Sequence, residues 1–185
     1  MKTIQKVTLS ALFLAIGFIL PFFTGQIPQI GSMLLPMHIP VFLCGLLCGW
    51  EYGLGLGLIL PILRSLIFGM PPLFPTAIAM AFELATYGGV IDYVYSHAKW
   101  QCIKQLYIAL FISMVAGRVV WALATCLLMG FTNVSAMMLI NGALLSAIPG
   151  IVVQLILIPM IMATLDKTKV VPFKKLSKVS KTQTM

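Results

Sequence analysis

The sequence predicts an all-α integral membrane protein, six transmembrane helices in one bundle with both termini cytoplasmic, and three observations support this. First, 61% of the residues are hydrophobic and only 9% are charged, whereas a soluble domain carries about 25% charged residues. Second, the apolar runs are continuous, and roughly 18 apolar residues are enough to cross a bilayer as a helix. Helix is required because the hydrocarbon offers no water to open backbone groups, and a membrane barrel needs short alternating segments instead. Third, the basic residues fall on alternate connections. Lys2 and Lys6 precede the first helix, Lys99 and Lys104 lie between the fourth and fifth, and a lysine-rich tail follows the sixth. Six crossings put these segments on one side, the cytoplasm by the positive-inside rule.

Helix 1 is expected over about Val7 to Phe22. Its charged start resembles a signal peptide, but no small-x-small cleavage site follows and Pro21-Phe22-Phe23-Thr24 closes the run, so it is read as a retained helix. A mixed loop from Phe23 to Leu35 leads to helix 2, about Pro36 to Trp50. Glu51-Tyr52 is read as a tight turn, followed by helix 3 from Gly53 to Phe68. Gly69-Met70-Pro71-Pro72 makes a rigid connection, because paired prolines cannot continue a helix. Helix 4 covers about Phe74 to Tyr95, and Ser96 to Lys104 is a polar loop. Helix 5 runs from about Gln105 to Gly130 and helix 6 from about Ala136 to Leu165. The chain thus divides into a transmembrane domain, 1–166, and a basic cytoplasmic tail, 167–185.

The net charge of +8 does not point to nucleic acid. Half of the twelve basic residues are Lys167, Lys169, Lys174, Lys175, Lys178 and Lys181, a tail whose natural partner is anionic lipid. Cys44 and Cys48 lie one helical turn apart, yet no His or acid stands beside them at ligand spacing. Small apolar packing is the reading favoured over a metal, and no metal or cofactor is expected. Gly45, Gly49, Gly53 and Gly57 recur at four-residue spacing, the first pair on helix 2 and the second on helix 3, which suits tight packing of a short hairpin more than a sliding contact. The chain has no His-Glu-x-x-His stretch, no Gly-x-Ser-x-Gly elbow and no phosphate-binding Gly-x4-Gly-Lys loop. These absences argue against an enzyme, and any ATP-driven step falls to a partner.

Ionisable residues inside a membrane are costly and so are functional candidates. Glu83 and Arg118 lie near the middles of helices 4 and 5, at similar depth, and can pair. That leaves Arg64, nearer the outer end of helix 3, without a protein counter-ion. A bound anion satisfies it, since guanidinium suits a carboxylate; the alternative is a side chain snorkelling to the outer interface. For Glu83 and Arg118 the alternatives are a structural pair and direct ligand contact. Asp92 lies near the cytoplasmic end, within reach of water. His38, Tyr87, Trp121 and Asn141 collect around the outer half, where a few polar groups on an apolar wall form the usual small-ligand site. Each of these four has an ordinary structural alternative as a core residue, an interface anchor or a local hydrogen-bonding group.

Helix 1 reads Ser10-Ala11-Leu12-Phe13-Leu14-Ala15, with Ala11 and Ala15 one turn apart on one face. Leu35-Pro36-Met37-His38-Ile39-Pro40-Val41 opens helix 2. Gly69-Met70-Pro71-Pro72 and Ala81-Phe82-Glu83-Leu84-Ala85-Thr86-Tyr87-Gly88 follow in the helix 3–4 region. With the length and the six-helix plan, these stretches resemble the substrate-specific (S) subunits of energy-coupling-factor (ECF) transporters over roughly Lys6 to Asp166, excluding the lysine tail. The resemblance implies a subunit of the bacterial cell membrane that captures a vitamin from outside. It also implies partnership with a transmembrane coupling subunit and two ATPases. Ala11 and Ala15 would dock on the coupling subunit, and Gln26 to Met37 and Gly69 to Leu73 would gate the site. The branch it resembles includes pantothenate-type subunits, which makes pantothenate the first candidate, ahead of niacin, folate-type acids and vitamin B6 or thiamine precursors. The rival readings are a stand-alone carrier, with Glu83 as its titrating acid, and a structural membrane subunit.

Overall fold

Among the described residues helix persists through the apolar runs, broken by glycine at Gly49 and by Gly69 with the prolines that follow it. The structure, a computed structural model, describes residues 2–23, 36–98, 102–130 and 148–167. Among these are six α-helices and no strand: α1 (Thr3–Phe23), α2 (His38–Cys48), α3 (Trp50–Phe68), α4 (Ile78–Ser96), α5 (Ile103–Met129) and α6 (Ile148–Lys167). A π-helical turn, Leu73–Ala77, leads into α4. Five of the six, with the turn counted as part of α4, are long and apolar enough to cross a membrane. The exception is α2, at 11 residues. The expected segment from Ala136 to Ala147, the loop from Thr24 to Leu35, Lys99 and the tail beyond Lys167 lie outside the described residues.

Two boundaries differ from the sequence reading. The turn between α2 and α3 is not Glu51-Tyr52 but Gly49, whose φ of 106° lies where a residue without Cβ is at ease. Trp50 opens α3, with Glu51 in its first turn, where an acid complements the positive helix end. The Trp50 N–H, one of the unpaired donors of that end, donates to Asp92 Oδ2 of α4 at 2.8 Å. Lys6 of α1 flanks the same turn, its Nζ 5.8 Å from the centre of the Tyr52 ring. This end of the bundle is termed the base. At the other end Gly69, with a φ of 69°, closes α3 by donating to the Ser65 carbonyl. The second difference is the start of α4: Phe74 is extended (φ −116°, ψ 133°), so regular helix waits until Ile78.

The central helix is α4, which packs on α2, α3 and α5; α1 lies on α2 and α3, and α6 on α5 and α2. Glycines allow the central contact. A methyl group placed on Gly88 would overlap the backbone of Gly53, one on Gly45 would overlap the Gly88 carbonyl, and one on Gly57 would overlap Leu84 and Ala85. Backbone meets backbone along this seam, the close approach that lets helices associate where lipid gives them no hydrophobic drive. Phe42, Leu60, Leu84, Ile91, Leu106 and Ile158 fill the remaining interior. Ile4, Ile59, Phe111, Leu127 and Ile156 stand exposed around the outside, as helices meeting lipid require. The least buried of the long helices is α1, and Ala11 and Ala15 are both on its exposed side.

Candidate functional site

A cluster of polar side chains forms where α2, α4 and α5 meet. Glu83 of α4 is 2% exposed and is held from three sides. Arg118 Nη1 of α5 lies 3.0 Å from its Oε1, Tyr87 donates its hydroxyl to the same oxygen at 2.6 Å, and His38 Nε2 lies 3.8 Å from it. The last distance is too long for a hydrogen bond. Both ring nitrogens of His38 are buried and lack a hydrogen-bond partner among the described residues.

The local sequence explains each placement. Glu83 and Tyr87 are one turn apart on α4, which brings hydroxyl to carboxylate. His38 is the first residue of α2, and its ring lies 5.3 Å from that of Tyr87. Phe42, one turn on, is centred 4.9 Å from Tyr87 and walls the cluster on that side. Gly117 precedes Arg118, and a methyl there would overlap the Tyr87 ring. Gly117 thus lets α5 come close enough for the guanidinium to meet Glu83. One acid and one guanidinium cancel, so the cluster with a neutral His38 carries no net charge. Such a pair is costly to open, because either charge left alone in a low dielectric has nothing to compensate it.

Arg64 does not join this cluster. It is 5% exposed, and its Nη1 donates to the Phe18 carbonyl of α1 at 3.4 Å. Its guanidinium carbon lies 5.8 Å from the Phe68 ring centre, and Phe68 meets Phe18 edge-on at 6.0 Å. The side chain turns in toward α1 and does not snorkel. Among the described residues no carboxylate lies within ion-pair distance of it. Gly57 packs beside Leu84 and Ala85, and from that common level Arg64 stands about 8 Å farther from the base than Glu83, at 1.5 Å per residue. Trp121 is half-buried and takes no part in the ion pairs or side-chain hydrogen bonds of the cluster; its carbonyl accepts from Thr125 at 2.8 Å. Asn141 lies outside the described residues.

One buried amide escaped the sequence reading. Gln154 of α6 is 1% exposed, and its Nε2 has no hydrogen-bond partner among the described residues. The available signal was an amide alone in the apolar run from Ile148 to Ala163. The cysteines are free thiols, and Cys44 Sγ donates to Ser10 Oγ at 3.5 Å. Among the described residues no three His, Cys, Asp or Glu side chains assemble to hold a metal. An apolar groove of about 500 Å³ runs between α3 and α4 past Trp50, Leu54, Phe82 and Tyr93; no residue of the polar cluster lines it.

Charged side chains paired deep in an apolar bundle mark a membrane protein built around a polar interior. The family model for the ECF transporter substrate-specific component matches residues 5–162. The chain belongs to that family and is a multi-pass membrane protein of a transporter family, not an enzyme family. Membership brings a small-molecule substrate and partnership with the ECF membrane and ATPase modules. No curated protein and no solved structure matches the chain.

Proposed function

We propose that this protein captures a small vitamin at the level of the His38–Glu83–Tyr87–Arg118 cluster for ATP-driven uptake, with pantothenate the first candidate. The observation that carries the reading is the cluster itself: a buried carboxylate, phenol and imidazole with a partly buried guanidinium, the imidazole without a hydrogen-bond partner among the described residues, in a substrate-specific component. A buried imidazole with both nitrogens unmet is expensive, and a ligand that meets them removes the cost. Arg64, farther from the base and without a carboxylate partner among the described residues, supplies the guanidinium suited to an acid group.

The base faces the cytoplasm in this reading, since Lys6, Lys104 and Lys167 all lie toward it, and both termini are then on the cytoplasmic side of a bacterial cell membrane. The lysines of the segment 167–185 are suited to anionic lipid. Substrate enters from the opposite side, past Gly69 to Leu73. Ala11 and Ala15, exposed on α1, form the face for the coupling subunit that works with two ATPases.

The test is direct binding of a vitamin panel, pantothenate included, to the purified detergent-solubilised protein. Saturable binding of one compound, lost in Arg118→Ala and Glu83→Gln, is expected. A folded protein that binds nothing on the panel would defeat the vitamin reading.

A further inference from the structure

We propose that His38 is a specificity-determining contact of the same site, and that it takes an uncharged oxygen-bearing group of the substrate, a hydroxyl or a carbonyl, and not its acid group. The proposal rests on the solute-capture reading and deepens it by giving one residue a ligand chemistry.

Three observations converge on His38. The first is an unmet demand. The residue is 1% exposed, and neither ring nitrogen has a hydrogen-bond partner among the described residues. Buried polar groups are almost always satisfied. A neutral imidazole offers one donor and one acceptor, so the ring calls for a group able to meet it. The second is the place. His38 is the first residue of α2, and Met37 before it gives the helix no side-chain cap. The oxygen of a Ser, Thr, Asp or Asn side chain ordinarily stands there. Pro36 to Val41 are all buried, so α2 begins within the bundle and not at a surface where bulk water would serve. The third is the neighbourhood. His38 Nε2 is 3.8 Å from Glu83 Oε1, beyond hydrogen-bond reach. That oxygen is already engaged by the Tyr87 hydroxyl at 2.6 Å and by Arg118 Nη1 at 3.0 Å. The Tyr87 ring, 5.3 Å from the imidazole, and Phe42 against it make an aromatic wall beside His38.

The charge of the group follows from these neighbours. A carboxylate accepting from His38 Nε2 would stand about 3 Å from it, and so within about 7 Å of Glu83 Oε1. Two like charges that close in an apolar interior repel strongly. The guanidinium of the cluster is already committed to Glu83, so the added charge would be uncompensated. A hydroxyl or a carbonyl adds no charge. A hydroxyl can meet either ring nitrogen, and a carbonyl oxygen meets the one that carries the proton. The part of the substrate at His38 is therefore an alcohol, an amide or another carbonyl group, and any acid group is held away from this residue.

The experiment titrates the vitamin panel, pantothenate first, into full-length wild type, His38→Phe and His38→Gln in detergent. For the compound that the wild type binds, two kinds of analogue are added: one set lacking a single hydroxyl or carbonyl oxygen each, and one with any acid group esterified. His38→Phe keeps a ring and removes both nitrogens. It should weaken binding by about tenfold or more, the ratio worth one ordinary hydrogen bond. The melting temperature of the ligand-free protein should stay at or above that of the wild type, since two unmet buried nitrogens are gone. His38→Gln keeps a donor and an acceptor and should bind more tightly than His38→Phe. Loss of one particular oxygen should cost the wild type about tenfold and cost His38→Phe nothing, the non-additivity that marks a direct contact. Should His38→Phe fail to fold, the same oxygen should cost His38→Gln less than it costs the wild type. If esterifying the acid group is what loses its effect in the His38 variants, the ring holds the acid and the assignment is overturned. A lower melting temperature with affinity within about twofold of wild type marks a structural His38 and overturns it too, while the capture reading stands. A wild type that binds no panel compound removes the capture reading and this proposal together.

Discussion

At the scale of single residues, the central fact is that Glu83 collects Arg118, Tyr87 and the approach of His38 on one oxygen. Removing Arg118 alone leaves an acid buried without compensation. Arg118→Ala should lose about 3–5 kcal/mol of stability, the usual cost of breaking a buried pair from one side. The double variant Glu83→Gln with Arg118→Gln removes both charges and should recover most of the melting temperature but not substrate binding. Thermal unfolding and binding on the same samples separate the two roles, and a double variant that binds normally would make the pair merely structural. The pairing was legible in the sequence, because two opposite charges at matching depth on neighbouring apolar helices have few other ways to be satisfied. Arg64 was less legible. Its guanidinium meets a backbone carbonyl of α1, and which carbonyl it meets depends on how α1 crosses α3. Gln154 carries no charge, so a search guided by ionisable groups passed over it.

At the scale of elements, glycine decides where helices turn and how closely they pack. Gly88→Ala should cost about 1–3 kcal/mol by overpacking, because the added methyl would meet the Gly53 backbone, which cannot rotate aside as a side chain can. Gly117→Ala presses on the Tyr87 ring and should weaken substrate binding while leaving most of the fold. Melting temperature and affinity measured together should show this split. Asp92→Ala removes the acceptor for the Trp50 N–H and should cost about 1 kcal/mol, the usual worth of a helix N-cap; Asp92→Asn should retain most of it. The glycine spacing announced a tight α2–α3 hairpin, and Gly53 does stand against Gly45, but it did not announce the third partner. That partner is Gly88, on a helix not adjacent in the chain to α2. The turn at Gly49 was misplaced because Glu51-Tyr52 looks polar in an apolar setting. Backbone freedom outweighed polarity, and a glutamate is at home in the first turn of a helix.

At the scale of the whole molecule, an all-helical membrane bundle was readable from the long apolar runs, since the bilayer leaves the backbone few options; of the six crossings expected, the described residues hold five long apolar helices and the short α2. Packing order was not readable, because it depends on which small residues face one another. The bundle has a firmly seated centre at α4 and a lightly seated α1 whose Ala11–Ala15 face is bare. Leu at both positions should abolish assembly with the coupling subunit and ATPases, and hence uptake, while vitamin binding by the isolated subunit stays at wild-type affinity. Co-purification and uptake assays test this. Normal assembly would move the docking face elsewhere.

The shortness of α2 has an electrical consequence. Its 11 residues extend about 16 Å, roughly half the hydrocarbon thickness of a bilayer. Its first residue, His38, reaches Glu83, which is buried more than a turn inside α4 and not at its end. The positive pole of a helix dipole, ordinarily presented to headgroups or water, is thus delivered to the interior within a side chain's length of the carboxylate. There the low dielectric strengthens its field. Lengthening α2 by a turn at its start would carry that pole away and leave Glu83 to Arg118 and Tyr87 alone.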